Sequence, residues 1–327
     1  MLDRPAPLSS DAEAICCPPT TQLRSAGYTA QESIDIMKAI ILAAGYGTRL
    51  NRDLQNDTSG DFKHLHGIPK PLLPVGHRAL ISHWMAAIDK INSIDSVYVI
   101  TNDLYYEKFE DWAKKFRLVK VLNDGTRSNE ERLGAIACLQ LAITQFNIND
   151  HVLVLGGDTL FYEDFSLSDV LAKFAELQKI NCDSSLVLSY LCKDEAETTK
   201  FGILEIDEKF QITAFKEKPS STETTSRRAC PCFYIYSKNT VPLIETFLQE
   251  KQNSPLEEKD APGNFLCWVY SSRCHRLVIS KRNPGQLSPP LLRMVNPSMV
   301  SHSLLLTQHR PGIVLIYIAL PLTAQSC

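Results

Sequence analysis

Short apolar runs alternate along the chain with longer stretches in which apolar residues recur every three or four positions. The runs predict buried strands, and the longer stretches predict amphipathic helices with one buried face. Strands are expected at 39–42, 96–101, 118–122, 151–155 and 184–190. One helical stripe between them consists of Leu80, Ile81, Trp84, Met85 and Ile88. This alternation predicts an α/β, Rossmann-like fold, a mostly parallel sheet with helices on both faces.

A second pattern follows the fifth strand. The segments 201–206 and 212–215 are short and apolar, and they flank the polar sequence Asp207-Glu-Lys. This arrangement predicts a small antiparallel insertion in the larger sheet. A further strand is expected at 232–236 and a helix at 240–250. Because ligands bind beyond the carboxyl ends of parallel strands, we expect a site where the first and fourth strands end.

The first 36 residues lack both patterns. The stretch is polar and contains Pro, Ser and Thr, which predicts a disordered leader at 1–36. It has no apolar core like that of a secretory signal, and its Asp and Glu residues argue against a transit peptide. The folded domain is therefore predicted to span 37–270.

The segment 271–327 also departs from the patterns of the domain. It gathers prolines and ends in the apolar run 312–324, which contains Pro321. A membrane-spanning helix needs about 20 residues, so this shorter run does not predict one. We expect an atypical tail that is foreign to the fold, such as the product of an alternative final exon.

Composition and charge exclude some classes of protein. The chain is 44% hydrophobic and 22% charged, with a formal net charge of −3. These values are typical of a globular protein and give no signature of polyanion binding, so we expect no nucleic-acid partner. The 10 cysteines form no C-x-x-C pair, and Cys230-Pro-Cys232 is one of two close sets. Free thiols in a reducing, cytoplasmic compartment are favoured over a metal site. Homo-oligomer formation stays open.

One stretch near the start of the domain carries the candidate chemistry. The strand that ends at Leu42 runs into a loop of small residues, 43–47, whose amides could approach an anion closely. Thr48 and Arg49 follow, and they supply a hydroxyl donor and a cationic fork suited to phosphate oxygens. Lys70 lies between two prolines that hold the local backbone extended. Together these features predict a triphosphate cradle with two cations. The polar segment 51–68 between the two cations is expected to be a loop.

Three alternatives compete with the cradle. A dinucleotide fingerprint, G-x-G-x-x-G, is matched by Gly45 and Gly47, but its third glycine is replaced by Leu50. A P-loop would need G-K-[ST] after four spacer residues, and no such triplet follows Gly45. The third alternative is a tight strand-to-helix turn that needs glycine only for its geometry. The adjacent hydroxyl and the two cations favour the cradle.

Four motifs in a fixed order give a family resemblance. They are Leu42-Ala-Ala-Gly-Tyr-Gly-Thr-Arg-Leu50, Pro69-Lys-Pro-Leu-Leu-Pro-Val75, Leu155-Gly-Gly-Asp158 and Phe215-Lys-Glu-Lys-Pro219. Over residues 37–270 the chain resembles the sugar-phosphate nucleotidyltransferases, the nucleoside-diphosphate-sugar pyrophosphorylases. The resemblance implies that a sugar-1-phosphate and a nucleoside triphosphate react to give a nucleoside-diphosphate sugar and pyrophosphate. It also implies Mg²⁺ as the cofactor.

The resemblance assigns the phosphate chemistry to three residues. Arg49 would hold the β- and γ-phosphates, and Lys70 would lie between the α-phosphate and the incoming sugar phosphate, so these are the candidate catalytic residues. The plain alternatives are a surface salt bridge for Arg49 and a solvated loop lysine for Lys70. Asp158 follows a strand and two glycines and would hold Mg²⁺. Its alternative is a helix N-cap or a turn aspartate.

The other site residues implied by the resemblance bind the two substrates. In the antiparallel insertion, Glu217 would accept hydrogen bonds from sugar hydroxyls and Lys218 would contact the sugar phosphate. Gly202 would leave room for the sugar ring, although a strand bulge would also explain it. Nucleotide binding is expected at Leu42, Ala44, Gly45, Gly47, Thr48, Asn129 and Gly134.

The base and the acceptor stay open. The loop 123–134 lacks the Gln- or Thr-Pro-containing forms associated with glucose-1-phosphate thymidylyltransferases or mannose-1-phosphate guanylyltransferases. Its sequence Asn129-Glu-Glu-Arg-Leu-Gly134 is closer to choline-phosphate cytidylyltransferase-like relatives. A cytidylyltransferase that acts on phosphocholine is therefore an alternative.

The end of the chain departs from the family pattern. The family supplies a second metal-binding aspartate from a Phe-Asp-x-Gly-Asn segment after the region that corresponds to 268–270, whereas here no Asp or Glu follows Asp260. A single carboxylate would hold Mg²⁺ weakly, because Mg²⁺ demands near-octahedral oxygen ligation. The alternative to an active enzyme is an impaired or regulatory relative that still binds nucleotide or sugar nucleotide.

Overall fold

The computed structural model describes residues 36–161, 165–192, 195–206, 212–272 and 313–318. The expected leader, the turn Asp207-Glu-Lys and most of the expected tail lie outside the described residues. The strands are β1 Met37–Leu42, β2 Pro74–Val75, β3 Arg78–Ala79, β4 Ile94–Thr101, β5 Val119–Asn123, β6 His151–Gly156, β7 Ser185–Leu191, β8 Gly202–Ile206, β9 Ile212–Glu217, β10 Arg228–Cys230, β11 Phe233–Tyr236 and β12 Ile313–Ile318. The helices are α1 Thr48–Gln55, α2 Leu80–Ile88, α3 Tyr106–Ala113, α4 Ala135–Gln145, α5 Leu167–Ile180, α6 Glu195–Thr198, α7 Leu243–Glu250, α8 Leu256–Asp260 and α9 Pro262–Ser272.

One large sheet organises the domain. Its strand order is β5-β4-β1-β6-β11-β7-β10-β8-β9, with β12 paired to β7, while β2 and β3 form a separate hairpin. Strands β5, β4, β1 and β6 pair in parallel. The pairs from β6 to β9 are antiparallel, and they include the small pair β8–β9. The α/β fold, the parallel strands at the cradle and the antiparallel insertion are thus confirmed.

Both faces of the sheet are covered, which explains why β1 is apolar at successive positions. Ile40 packs into a core that includes residues of α4, α7 and α9. Ala39 and Ile41 face the opposite core, which includes residues of α2, α3 and α5. Because successive side chains of a strand point to opposite faces, a strand buried on both faces reads as a continuous apolar run.

The segment after the cradle differs from the expected structure. The sequence predicts a polar loop at 51–68, but α1 continues through Gln55 and a 3₁₀ turn forms at Lys63–Leu65. Leu50 and Leu54 lie one helical turn apart and pack in a small cluster with Leu65 and Leu73. Two leucines among polar residues are too sparse to give a visible helical stripe, so the prediction of a loop was wrong here.

The last helix of the domain, α9, was also absent from the sequence prediction. It ends at Ser272, close to the predicted boundary at 270. Within the expected tail, β12 pairs with β7 in antiparallel register, from Ile313 opposite Tyr190 to Ile318 opposite Ser185. The domain boundaries themselves stay a prediction.

Among the helices of the described residues, none has the length and apolar character required to cross a membrane.

Candidate functional site

The loop 43–47 is held at the carboxyl end of β1 by both neighbouring strands. The Ala43 amide donates to the carbonyl of Ile100 at the end of β4, at 2.8 Å. The Asn102 side-chain amide donates to the carbonyl of Ala44 at 2.9 Å. On the other side, the Gly157 amide donates to the carbonyl of Leu42 at 2.8 Å. The loop therefore has a fixed backbone before any ligand arrives.

The two glycines of this loop, Gly45 and Gly47, differ in what the structure requires at their positions. Gly47 precedes α1 with a φ of 62°, a left-handed conformation that favours glycine, and no side chain caps the helix there. Gly45 is exposed, and a Cβ at this position would meet nothing within 4 Å. The uncapped first-turn amides of α1 and the open space over Gly45 suit the approach of an anion.

The two predicted cations flank this loop. Arg49 is exposed in the first turn of α1, directly after Thr48. Lys70 opens a 3₁₀ turn, Lys70–Leu72, behind an extended Pro69. Its Cγ would lie 3.9 Å from a Cβ at Gly47, so its stem runs beside the glycine loop. Within the described part of the chain, neither cation has an ion-pair partner, so the salt-bridge alternative for Arg49 finds no support there.

Asp158 lies close to the same loop because of the glycine that precedes it. A Cβ at Gly157 would lie 2.9 Å from the Leu42 carbonyl oxygen and 2.9 Å from Pro71 Cγ. Gly157 is thus wedged between the end of β1 and the turn that begins at Lys70, and Asp158 follows with an exposed side chain. The next described helix, α5, is capped by Ser166, so Asp158 is not its N-cap.

The predicted acceptor residues lie at the end of the antiparallel pair. Gly202 is directly opposite Glu217, and the Lys218 ammonium contacts the Glu217 carboxylate at 3.0 Å. Lys218 has a φ of 46°, which is uncommon for a residue with a side chain. Such backbone strain persists only where the surrounding structure enforces it, and it is concentrated at functional sites. This strain is an independent signal that the sequence did not reveal.

Gly202 has a packing role that the sequence analysis missed. A Cβ at this position would lie 2.2 Å from Phe215 Cζ and 3.0 Å from Glu217 Oε2. The bulge in β8 falls between Glu205 and Ile206, so Gly202 is not part of a bulge. The glycine is required by the Phe215 ring, and space for a sugar ring stays a prediction.

Cys232 connects the regions of the metal and acceptor candidates. Its carbonyl accepts from the Gly156 amide at 2.8 Å, and a Cβ at Gly156 would lie 2.9 Å from the Cys232 Cβ. Burial, together with the nearby carboxylates of Asp158 and Glu217, raises the pKa of the Cys232 thiol to about 12. A neutral thiol therefore lies within electrostatic range of both carboxylates. The Cys-Pro-Cys pattern marked this position in the sequence but assigned it no role.

The predicted nucleotide loop is tied to the cradle by a buried tyrosine. The Tyr46 hydroxyl donates to Thr126 Oγ1 at 2.7 Å, and Thr126 donates to the Asp124 carboxylate at 2.7 Å. Burial raises the pKa of Tyr46, so its hydroxyl stays a donor at neutral pH. Farther along this loop, Asn129 begins a 3₁₀ turn and Gly134 is buried with a φ of 92°. The structure thus brings the loop 123–134 beside the cradle.

The donors available for a divalent cation are few. In the described ranges, no group of three or more His, Cys, Asp or Glu side chains could hold a metal ion. Asp158, the predicted metal residue, is an exposed carboxylate that directly follows Gly157. Since proteins usually hold Mg²⁺ through one or two carboxylates together with waters and substrate phosphates, this donor set fits Mg²⁺ only when phosphates complete it.

Comparison with known proteins agrees with this geometry. A family model described as nucleotidyl transferase matches residues 38–266. The bifunctional protein GlmU of Methanococcus maripaludis is 27% identical over 225 residues, which cover 69% of this chain and 46% of that protein. Mannose-1-phosphate guanyltransferase of Debaryomyces hansenii is 28% identical over 269 residues, which cover 77% of this chain and 68% of that protein. The chain spans about half the length of the GlmU relatives that it matches.

The fold is shared with a solved structure. UDP-glucose pyrophosphorylase in complex with UDP-glucose superposes with a TM-score of 0.58 at 17% identity, over 81% of this chain and 95% of that chain. The likeness confirms the fold class. The family match covers well over half of the chain and includes the four motifs that carried the resemblance. The chain therefore belongs to the nucleotidyl transferase family.

Proposed function

We propose that this chain couples a sugar-1-phosphate to a nucleoside triphosphate, with release of pyrophosphate and formation of a nucleoside-diphosphate sugar. The observation that carries the proposal is the position of Gly157, which packs against both the Leu42 carbonyl and Pro71. This contact sets the candidate metal carboxylate, Asp158, beside the glycine loop and the Lys70 turn. In this proposal the loop amides, the two cations and the carboxylate would surround one cleft.

The reaction asks the protein mainly for alignment and for neutralisation of phosphate charge. Arg49 would hold the β- and γ-phosphates, which leave together as pyrophosphate. Lys70 would hold the α-phosphate beside the sugar phosphate, so that a phosphate oxygen of the sugar attacks the α-phosphorus as the bond to the leaving pyrophosphate breaks. Because each contact is fixed in advance, its loss typically raises the barrier by ~3–4 kcal/mol.

The nucleotide and the acceptor would occupy different sides of this cleft. The amides of 43–47, Thr48 and the loop that contains Asn129 and Gly134 would bind the nucleotide. Glu217 would accept hydrogen bonds from the sugar, and Lys218 would contact its phosphate. The Lys218–Glu217 contact at 3.0 Å and the strained Lys218 backbone support a prearranged acceptor site.

Mg²⁺ belongs to the same proposal. Asp158 would hold it together with phosphate oxygens, and when bound the ion would supply further charge neutralisation at the phosphates. A cytoplasmic location, where nucleoside triphosphates are available, is the remaining part of the proposal, and homo-oligomer formation stays open.

A second function is favoured by one feature of the sequence. No Asp or Glu follows Asp260, so the second carboxylate that the resemblance implies is missing. A chain that binds nucleotide or sugar nucleotide without turnover, as a regulatory relative, would need only the cradle and the acceptor residues.

The deciding experiment is an assay of pyrophosphate release by the purified chain with Mg²⁺. The five common nucleoside triphosphates are tested against a panel of sugar-1-phosphates and against phosphocholine. Each active pair is repeated with Lys70→Ala and with a matched control, Lys63→Ala, which changes another lysine that also opens a 3₁₀ turn and is exposed.

Turnover with a sugar-1-phosphate that falls at least about 100-fold in Lys70→Ala, but not in the control, would support the proposed function. Turnover with CTP and phosphocholine alone would show that the acceptor is an alcohol phosphate and not a sugar-1-phosphate. Nucleotide binding without turnover by a folded protein would favour the regulatory relative.

A further inference from the structure

We infer that Asp260 is a positioning residue for the nucleotide subsite: its carboxylate fixes the loop that ends at Gly134. The inference rests on the proposed function, because that loop is where the nucleotide is expected to bind. It assigns a role to the last acidic residue of the chain, which the motifs leave unexplained.

The first contact is a helix cap supplied from a distant part of the chain. Helix α4 begins at Ala135, and no side chain of its own N-terminal turn caps it. Instead, the Ala135 amide donates to Asp260 Oδ1 at 2.7 Å, across 125 positions of sequence. The first amides of a helix have no partner within it, so this carboxylate accepts from an amide that would otherwise lack one. Its negative charge also interacts favourably with the positive end of the helix dipole.

The second contact fits Gly134 against the same carboxylate. Gly134 has a φ of 92°, and a Cβ there would lie 3.0 Å from Asp260 Oδ1 and 3.1 Å from its Cα. Both the backbone conformation and the available space therefore require glycine. The end of the nucleotide loop and the backbone of Asp260 are packed directly against each other.

The third contact extends from Asp260 to the start of the predicted nucleotide segment. Arg132 Nε lies 3.6 Å from Asp260 Oδ2, and Arg132 Nη1 donates to the Asn129 carbonyl at 3.1 Å. The side chains of this ion pair are 36% and 32% exposed, so the pair alone is expected to be weak. It nevertheless holds the Asn129 turn on the same carboxylate that caps α4.

The position of Asp260 is well defined because the helix that follows it, α9, packs tightly against the sheet. In α9, a Cβ at Gly263 would lie 1.8 Å from Phe215 Cε1, and the Cys267 thiol contacts the Phe215 carbonyl at 3.6 Å. Phe215 lies on β9, two residues before Glu217. The carboxylate that holds the nucleotide loop therefore lies next to α9, which packs against β9, the strand that carries Glu217 of the acceptor site.

The test compares three substitutions in the full chain. Asp260→Ala removes both the cap and the ion pair, whereas Asp260→Asn keeps an oxygen that accepts from the Ala135 amide, because Asn caps helices about as well as Asp. Ser166→Ala is the matched control. It removes the cap of α5, where Ser166 Oγ accepts from the Asp169 amide at 3.2 Å, and the buried residues of α5 and α4 belong to different cores.

Equilibrium dissociation constants are measured for ATP, CTP, GTP, UTP and dTTP with Mg²⁺ and without acceptor, and unfolding temperatures are measured alongside. For whichever nucleotide the wild-type chain binds, we expect a dissociation constant roughly fivefold higher in Asp260→Ala. Asp260→Asn should stay within about twofold of wild type, since its cap is retained. Ser166→Ala should lower the unfolding temperature without weakening binding.

Equal weakening by Asp260→Ala and Ser166→Ala would overturn the inference, because binding would then only follow stability. Unchanged binding in Asp260→Ala would also overturn it while leaving the proposed function intact. If Asp260→Ala does not fold, Arg132→Gln decides the matter, because it removes both the ion pair with Asp260 and the hydrogen bond to the Asn129 carbonyl. A dissociation constant more than about twofold higher at an unchanged unfolding temperature would then support the inference, and an unchanged dissociation constant would overturn it. A wild-type chain that binds none of the five nucleotides would overturn the proposed function, and the inference with it.

Discussion

The Gly157 amide donates to the Leu42 carbonyl oxygen at 2.8 Å, which joins the ends of two parallel strands on which the cradle and the candidate metal residue are built. The contact is possible only because Gly157 lacks a side chain. A Cβ there would lie 2.9 Å from the same oxygen and 2.9 Å from Pro71 Cγ. Neither neighbour is the mobile end of a long side chain, so neither moves away at small cost.

We therefore expect Gly157→Ala to separate Asp158 from the cradle. A displacement of about 1 Å between reacting groups can lower turnover by roughly 100-fold, and a loss of that order is expected in pyrophosphate release. The unfolding temperature should fall as well, because the contact joins two buried strands. Wild-type turnover in a Gly157→Ala chain would show that Asp158 does not depend on this contact.

Gly45→Ala should behave in the opposite way. A Cβ at Gly45 meets nothing within 4 Å, so the unfolding temperature should stay within a few degrees of wild type. The new methyl group would occupy the space through which phosphate approaches the loop amides, so the dissociation constant for the nucleotide should rise. Calorimetric unfolding and equilibrium binding check the two expectations separately. Tight binding by a stable Gly45→Ala chain would place the phosphates elsewhere.

Gly202→Ala distinguishes the two explanations of that glycine. If its role is to admit the Phe215 ring, the substitution should destabilise the fold by about 1–3 kcal/mol, because the ring must move from a position 2.2 Å from the new Cβ. The double variant Gly202→Ala with Phe215→Leu should recover part of the loss. If the glycine serves only the sugar, the free energy of unfolding will stay unchanged and only the Michaelis constant for the acceptor will rise. Denaturant unfolding of the single and double variants provides the measurement.

The elements that were predicted correctly have a strong local signal. β1, β4 and β6 are apolar at successive positions because both sheet faces are covered, and α2 shows a full buried stripe. The loop 43–47 also has a local reason, since the chain must turn sharply from β1 into α1, whereas its role as a phosphate cradle stays a prediction. These features depend on neighbouring residues, which the sequence displays directly.

The features that were missed depend on residues far apart in the chain. The buried face of α1 is completed by Leu65 and Leu73, and the cap of α4 comes from Asp260 across 125 positions. The packing role of Gly202 depends on the register of β8 and β9, which places Phe215 against it. Cys232 lies beside Gly156 because β11 pairs with β6, and this pairing cannot be read from the sequence around Cys232. None of these pairings has a periodic or motif signature.

Residues 37–272 should fold without the segment that follows them. The buried members of both large cores lie between Met37 and Val269, so a chain that ends at Ser272 keeps the described apolar cores. It loses the pairing of β12 with β7, which should lower the unfolding temperature without abolishing cooperative unfolding. Thermal unfolding of the shortened and full chains tests this. A shortened chain without a cooperative transition, or a tail that survives limited proteolysis as a folded piece, would contradict the predicted boundary.

The thiol of Cys232 should make stability depend on pH in the alkaline range. Burial raises its pKa from the ordinary value of 9.0 to about 12. Well below pH 9.0 the thiol is protonated in both the folded and unfolded states, so it contributes no pH dependence there. Between those two pH values the unfolded chain releases this proton while the folded chain retains it, so the free energy of unfolding falls as pH rises. We expect the unfolding temperature of Cys232→Ser to decrease less between pH 8.5 and 10.5 than that of wild type, because serine does not titrate there. Parallel decreases in the two proteins would show that the Cys232 thiol ionises as readily in the folded chain as in the unfolded one.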